Sequence, residues 1–280
     1  MKITRPILRY HGGKWRLAPW IVSHFPNHKI YVEPYGGGAS VLLRKSISYA
    51  EIYNDIDEEV VNLFRVVRDR GNELAEKLRL TPFSRIEFYT AYLNCHDPLE
   101  KARRTVVKSF MGYSSGIFAR NGKSEGFRVI KNARTGFRSN SNRSGTIPAH
   151  DWANYPQALD AIIKRLRPVV IENRDAMDVV LQHDGEQTLH YIDPPYLKST
   201  RGDMADDYRH EMTEQDHVDM ARILHEVKGM VIVSGYPSKL YDELFKGWKS
   251  ISKEALADGA RKRTEVLWFS PNIDRTGLFE

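Results

Sequence analysis

At 280 residues, with 41% hydrophobic and 28% charged side chains and a formal net charge of +6, the chain has an ordinary globular composition. That length leaves room for one substantial core plus an inserted subdomain. It has no run of about eighteen uncharged apolar residues, and Met1-Lys2-Ile3-Thr4-Arg5-Pro6 lacks the apolar core of a signal peptide, so no membrane span is expected and a cytoplasmic location is. The single cysteine, Cys95, excludes an internal disulfide and a cysteine-built metal site, and no metal is expected.

Leu8-Arg9-Tyr10-His11-Gly12-Gly13-Lys14-Trp15 puts two glycines and a lysine ahead of a helical pattern that continues through Trp20-Ile21-Val22. Backbone N–H groups at a helix start favour an anion, and Lys14 would add a charge; a glycine turn with a surface lysine has the same pattern. It is not a Walker loop, which needs glycine where Leu8 stands and Ser or Thr in place of Trp15. Ile30-Tyr31-Val32-Glu33 reads as a short buried strand, followed by Pro34-Tyr35-Gly36-Gly37-Gly38-Ala39-Ser40 and a helix through Val41-Leu42-Leu43. Strand, glycine turn and helix form the front of an α/β nucleotide site, where small residues let a ligand approach the backbone. The dinucleotide fingerprint would require glycine in place of Val41, which weakens a dehydrogenase reading. Tyr49-Ala50-Glu51-Ile52-Tyr53 is a second strand, ending in Asn54-Asp55-Ile56-Asp57. An acidic residue at that tip, Asp55, is placed to accept ribose hydroxyls. Asp57 reads as the N-cap of a helix over 58–68.

The alternation then stops. Helical patterns cover 71–80, 85–94 and 98–110, followed by a Gly/Ser/Asn/Arg-rich segment. Between Lys101 and His150 eleven Lys or Arg stand against Glu125 alone, so this stretch carries +10 while the rest of the chain sums to −4. Such a run is the footprint expected for a polyanion. Lys101, Arg103, Arg104 and Lys108 accompany Val106, Val107 and Phe110, so their heads are expected to reach phosphates from a packed helix. Arg134, Arg138, Asn140, Asn142 and Arg143 lie among turn formers and are side chains suited to guanine and adenine edges; a disordered loop is the competing reading.

Alternation resumes at Val169-Val170-Ile171-Glu172, whose acidic end, Asp175, precedes a helix over 176–181. The apolar run Leu189-His190-Tyr191-Ile192 leads into Asp193-Pro194-Pro195-Tyr196. Each proline fixes its own φ, extends the residue before it and removes an N–H, leaving rigid carbonyl acceptors beside a carboxylate and an aromatic face. That array suits a planar ring bearing an exocyclic amine. A helix over 213–227, a strand over 229–234 ending in Gly235-Tyr236-Pro237, a helix over 241–245 and an antiparallel pair over 248–253 and 264–269 complete the chain.

Tyr10-His11-Gly12-Gly13-Lys14, Glu33-Pro34-Tyr35-Gly36-Gly37-Gly38, Asn54-Asp55-Ile56, Asp193-Pro194-Pro195-Tyr196 and Ser234-Gly235-Tyr236 occur in the order seen in Dam-like DNA adenine N6-methyltransferases, which the chain resembles over nearly its whole length. The resemblance implies S-adenosylmethionine as cofactor, double-stranded DNA as partner and a Rossmann-like α/β fold: a mixed seven-stranded sheet with helices on both faces. It implies a catalytic domain over 1–68 and 151–280, interrupted at 69–150 by a mostly helical target-recognition subdomain, in a chain expected to act as a monomer. Carried over by position, Lys14 and the Gly12-Gly13 backbone face the methionine carboxylate, and Tyr10, Glu33, Gly36 and Gly38 belong to the same cofactor region. Tyr35 packs against the cofactor, Asp55 takes the ribose hydroxyls, Asp175 the cofactor's adenine amine, and Asp193 borders cofactor and substrate alike.

The residues account for the chemistry directly. Adenine's N6 lone pair is delocalised into the ring, so the nitrogen is a poor nucleophile until its hydrogens are held by acceptors. Asp193 and the Pro194 carbonyl can accept them and stabilise the positive charge that develops as the methyl arrives, and Tyr196 can stack on the base. Carbon-5 cytosine methylation would need a nucleophilic thiol, and Cys95 lies in a helical pattern without a catalytic setting. A small-molecule methyltransferase would not need the basic segment. A catalytically silent nucleic-acid-binding module would not need the acceptors, and charge alone does not separate duplex DNA from structured RNA.

Overall fold

A computed structural model describes residues 3–112, 136–139, 147–201, 208–256 and 262–276. In chain order its elements are α1 (Ala18–Val22), β1 (Ile30–Glu33), β2 (Ala50–Asn54), α2 (Glu58–Leu80), α3 (Arg85–Thr90), α4 (Pro98–Met111), α5 (Pro148–Ala153), α6 (Tyr155–Leu166), β3 (Val169–Glu172), α7 (Ala176–Gln182), β4 (Thr188–Ile192), α8 (Lys198–Arg201), α9 (Glu214–Glu226), β5 (Met230–Gly235), α10 (Lys239–Leu244), β6 (Lys249–Leu256) and β7 (Lys262–Phe269). They fall into two compact units: Met1–Gly13 with Asp57–Pro168 and Asp207–Arg209, and Lys14–Ile56 with Val169–Asp206 and His210–Glu280.

The second unit is an α/β fold on a mixed seven-stranded sheet of order β3-β2-β1-β4-β5-β7-β6. The first five strands are parallel, and β7 runs antiparallel to both β5 and β6. Side chains alternate across such a sheet, and the register sorts them. Val32 lies beside Ile52 and His190, and Val233 beside Ile192 and Trp268. Val32 and Ile52 pack on Val179 of α7, while Ile192, Val231, Val233 and Trp268 form one cluster with Met220 and Leu224 of α9 and Tyr241 of α10. The alternate residues Tyr31 and Tyr191 meet Phe25, just after α1, with ring centroids 5.7 and 5.9 Å away. Both faces are therefore covered, which is why β4 and β5 are buried throughout. The chain winds outward from β1 to β3 and then in the opposite direction from β4 to β5, so β1 and β4 flank the switch point where α/β sheets bind ligands at their carboxyl ends.

One expected element differs. Val41-Leu42-Leu43 forms consecutive turns instead of an α-helix, with Leu43 N–H bonded to Ala39 O and Lys45 N–H to Val41 O, each at 3.0 Å. Ala39 enters this segment with φ +49°, a left-handed conformation that a helix does not admit, and Ser46-Ile47-Ser48 follows too soon for another turn.

In the first unit α2 packs against α4 and α6, and α3 against α4. Asp57 caps α2 by accepting from Glu59 N–H, and the two helical patterns over 58–68 and 71–80 are one element kinked at Arg70, φ −131°. Gly71 is required there: a Cβ would lie 2.5 Å from the Ile163 side chain of α6. The sequence reading assigned no element to 148–166, where α5 and α6 form with Pro148 and Pro156 at first-turn positions, where no N–H bond is lost. Trp152 Nε1 donates to Thr81 O and the Tyr155 hydroxyl to Ile7 O, both at 2.8 Å, tying this helical pair down. Helix α3 ends at Thr90, short of the expected 94. Among the described residues no helix is long and apolar enough to cross a membrane.

Candidate active site

The carboxyl end of β4 delivers Asp193 beside the end of β5, where Ser234 sits. The Ser234 hydroxyl donates to Asp193 Oδ1 at 2.8 Å, and the Tyr191 hydroxyl donates to Ser234 Oγ at 3.1 Å. Lys14 Nζ lies 2.9 Å from the same Asp193 oxygen and 4.6 Å from the centroid of the Tyr196 ring. Tyr196 is 5% exposed, its hydroxyl donates to Glu265 of β7, and Tyr236 meets it edge-on at 4.6 Å between centroids. Pro194 is buried between Asp193 and Pro195. Burial pushes the Glu265 carboxyl up to about 7, with the ammonium of Lys14, 3.9 Å away, pulling the other way. Asp193 is thus a carboxylate with one oxygen held by an ammonium and a hydroxyl, at the sheet's switch point.

The neighbouring strand tips hold the residues assigned to the cofactor. Glu33, at the end of β1, accepts from the Tyr31 hydroxyl at 2.7 Å and from Leu42 N–H at 3.0 Å, and burial raises its carboxyl to about 8. It anchors the turn after the glycines. Gly36 N–H donates to Asn54 O at 2.7 Å, and a Cβ there would lie 2.1 Å from the Tyr53 ring. Glycine at 36 is therefore demanded by packing against β2. Gly37 adopts φ +46°, and its N–H donates to Asp55 Oδ2 at 2.7 Å; Gly38 beside it is buried. Tyr35 is half-buried, while Asp175 is exposed at the start of α7 and accepts from Met177 and Asp178 N–H. Asn54 joins these tips, donating to Pro34 O and Arg174 O and accepting from Arg174 N–H. Tyr10 and Gly13 belong to the helical unit, where Gly13 N–H closes a turn onto Tyr10 O at 3.1 Å.

Residues 10–258 match the D12 class N6 adenine-specific DNA methyltransferase family. The chain belongs to that family. It is 29% identical over 121 residues to the DNA adenine methylase of Salmonella typhi, covering 41% of this chain and 43% of the relative. With the DNA adenine methylase of Escherichia coli K12 it shares 30% identity over 109 residues, 39% of this chain and 36% of the relative. The match thus spans less than half the length of these methylases. With the Type II methyltransferase M1.LlaDCHI of Lactococcus lactis subsp. cremoris it shares 25% identity over 284 residues, 94% of each chain.

In this D12-class chain the basic positions divide. Arg103 is bound to Glu100 and Glu87 at 2.7 Å each, and Arg104 to Glu100 at 2.9 Å and Leu93 O at 2.8 Å. Lys108 pairs with Glu59, which also takes Arg209 at 3.0 Å. These three heads have partners within their own unit, because α4 packs its basic side chains onto acids there. Lys101 is exposed. Arg138 donates its N–H to Met111 O at 2.7 Å, and Arg134, Asn140, Asn142 and Arg143 lie outside the described residues. Among the described residues no group of three His, Cys, Asp or Glu is arranged for a metal ion. Sequence reading omitted Glu265 and Ser234 from the site. Ser234 stood in a noted motif, but Glu265 carried only one signal, a lone acid in the apolar strand Val266-Leu267-Trp268-Phe269.

Proposed function

We propose that this chain transfers the methyl group of S-adenosylmethionine to N6 of an adenine flipped out of duplex DNA. The observation that carries the reading is Asp193, held at the switch point by Ser234 and followed directly by Pro194 and Tyr196. A fixed carboxylate oxygen takes one N6 hydrogen, and the Pro194 carbonyl, with no proline N–H beside it, takes the other. Both stabilise the cationic nitrogen of the transition state without reorganising. Tyr196 borders the base, which leaves the duplex at a cost of a few kcal/mol.

The donor set at the strand tips fits S-adenosylmethionine: carboxylates at Asp55 and Asp175 suit a ribose diol and an adenine amine, and Tyr35 supplies an aromatic wall. The cofactor would supply an electrophilic methyl on a sulfonium. Asp55 is locked by Gly37 N–H, so its orientation is set before any ligand arrives. Glu33, Gly36 and Gly38 act by shaping that turn. DNA affinity and choice belong to the inserted segment over 69–150, with Lys101 as a phosphate contact and Arg134, Arg138, Asn140, Asn142 and Arg143 as base readers.

Incubating the protein with labelled S-adenosylmethionine and either genomic DNA or total RNA, then mapping modified adenines by single-molecule sequencing, tests the reading. N6-methyladenine at one recurring DNA motif is the expected result. Label in RNA alone, or none in either, overturns it.

A further inference from the structure

The ammonium of Lys14 occupies a pose that has a meaning for the reaction. It donates to Asp193 Oδ1 from 2.9 Å while lying 4.6 Å over the Tyr196 ring. An N–H donor on Asp193, carried over the face of Tyr196, is also the pose required of the target adenine's amine. Both donors address the same carboxylate, whose Oδ1 already accepts the Ser234 hydroxyl. A base stacking on the ring face that Lys14 covers therefore requires the ammonium to move off it.

A second acceptor stands within reach. Glu265 Oε1 is 3.9 Å from Lys14 Nζ, and its carboxylate is 3% exposed, facing the ammonium on one side and the Tyr196 hydroxyl on the other. An ammonium on four rotatable carbons can change partners by a small torsion, and a buried one must keep a partner, since an unpaired charge away from water is heavily penalised. We propose that Lys14 is a placeholder for the target amine in the base-free protein and that Glu265 is the positioning residue that receives its ammonium when the base enters, an inference that rests on the adenine-transfer reading above. The arrangement keeps Asp193 paired until substrate arrives. It also holds Tyr196 through the same acceptor, so ring and ammonium are positioned together.

Glu265→Gln separates the two jobs of this residue, because glutamine still offers an oxygen to the Tyr196 hydroxyl but no charge to Lys14. Affinity is measured for a duplex carrying one site mapped as above, in the presence of S-adenosylhomocysteine, so no turnover is needed. The variant should bind about tenfold more weakly. Glu265→Asp, which restores a carboxylate, should recover most of the affinity. In a Lys14→Met background the Glu265→Gln change should have no effect on affinity, since no ammonium remains to be moved. Unchanged affinity in Glu265→Gln, or an equal loss with and without Lys14, overturns the proposal. Wild-type protein that methylates no DNA would instead sink the functional reading.

Discussion

The Ser234 hydroxyl donates to Asp193 Oδ1 at 2.8 Å, linking the ends of β5 and β4 across the carboxyl edge of the sheet. The bond fixes which way the carboxylate faces, and Tyr191 in turn fixes Ser234. Ser234→Ala should lower kcat by about ten- to a hundredfold, the worth of a hydrogen bond to a charged group, with little change in cofactor affinity. Asp193→Ala should cost about a hundredfold or more while the fold persists. Turnover by either variant near the wild-type rate, measured on mapped DNA with circular dichroism as a folding control, would contradict this assignment.

Asp55→Ala should weaken S-adenosylmethionine binding more than it lowers the rate at saturating cofactor. A ribose contact exists in ground and transition states alike, so its loss falls in the binding step. Calorimetric titration of cofactor checks this, and unchanged affinity would leave Asp55 only its bond to Gly37 N–H.

Glu33 makes stability fall with rising pH. Burial raises its carboxyl to about 8, above the unfolded value of about 4.3, so its contribution is fully present below the unfolded value and is lost as pH rises through the folded one. Glu33→Gln is neutral at every pH and can still accept from Tyr31 and Leu42. Its Tm should match wild type near pH 4, below the unfolded value, and exceed it increasingly toward pH 9. A variant less stable than wild type at pH 9 would show that the charged carboxylate is needed.

Lys108 and Lys101 stand on one helix with opposite expected phenotypes. Lys108 and Arg209 outweigh the burial that opposes charge on Glu59 and hold its carboxyl at about 2. Lys108→Ala should therefore destabilise the fold by about 3 kcal/mol and leave the salt dependence of DNA binding unchanged. Lys101→Ala should leave Tm unchanged and reduce the salt slope by about one. Because the Glu59 pKa is depressed, its stabilisation is full above the unfolded carboxylate value and disappears as pH falls toward 2; Glu59→Gln should flatten the acid limb of the Tm profile. Equal salt slopes in wild type and Lys101→Ala would remove it from the DNA contact.

Sequence alone determined the strands and the acceptor motif, because both are local. Buried strands write themselves as short apolar runs, and Asp193-Pro194-Pro195-Tyr196 constrains its own backbone wherever it is placed. Helices α5 and α6 were assigned no element, a first-turn proline having the same letter as a breaker, and the turn at Val41 was misread because a left-handed Ala39 leaves no mark in composition. Only tertiary structure decided what each charge does. Arg103 and Lys108 have the spacing of a phosphate-binding face, yet acids 16 and 49 positions away along the chain take them up. Glu265 lies 69 residues from Tyr196 and reaches it because β7 pairs with β5 and brings its one buried acid to the carboxyl end of the sheet. Pairing across strands sets such neighbours, and sequence periodicity within any one strand carries no information about them.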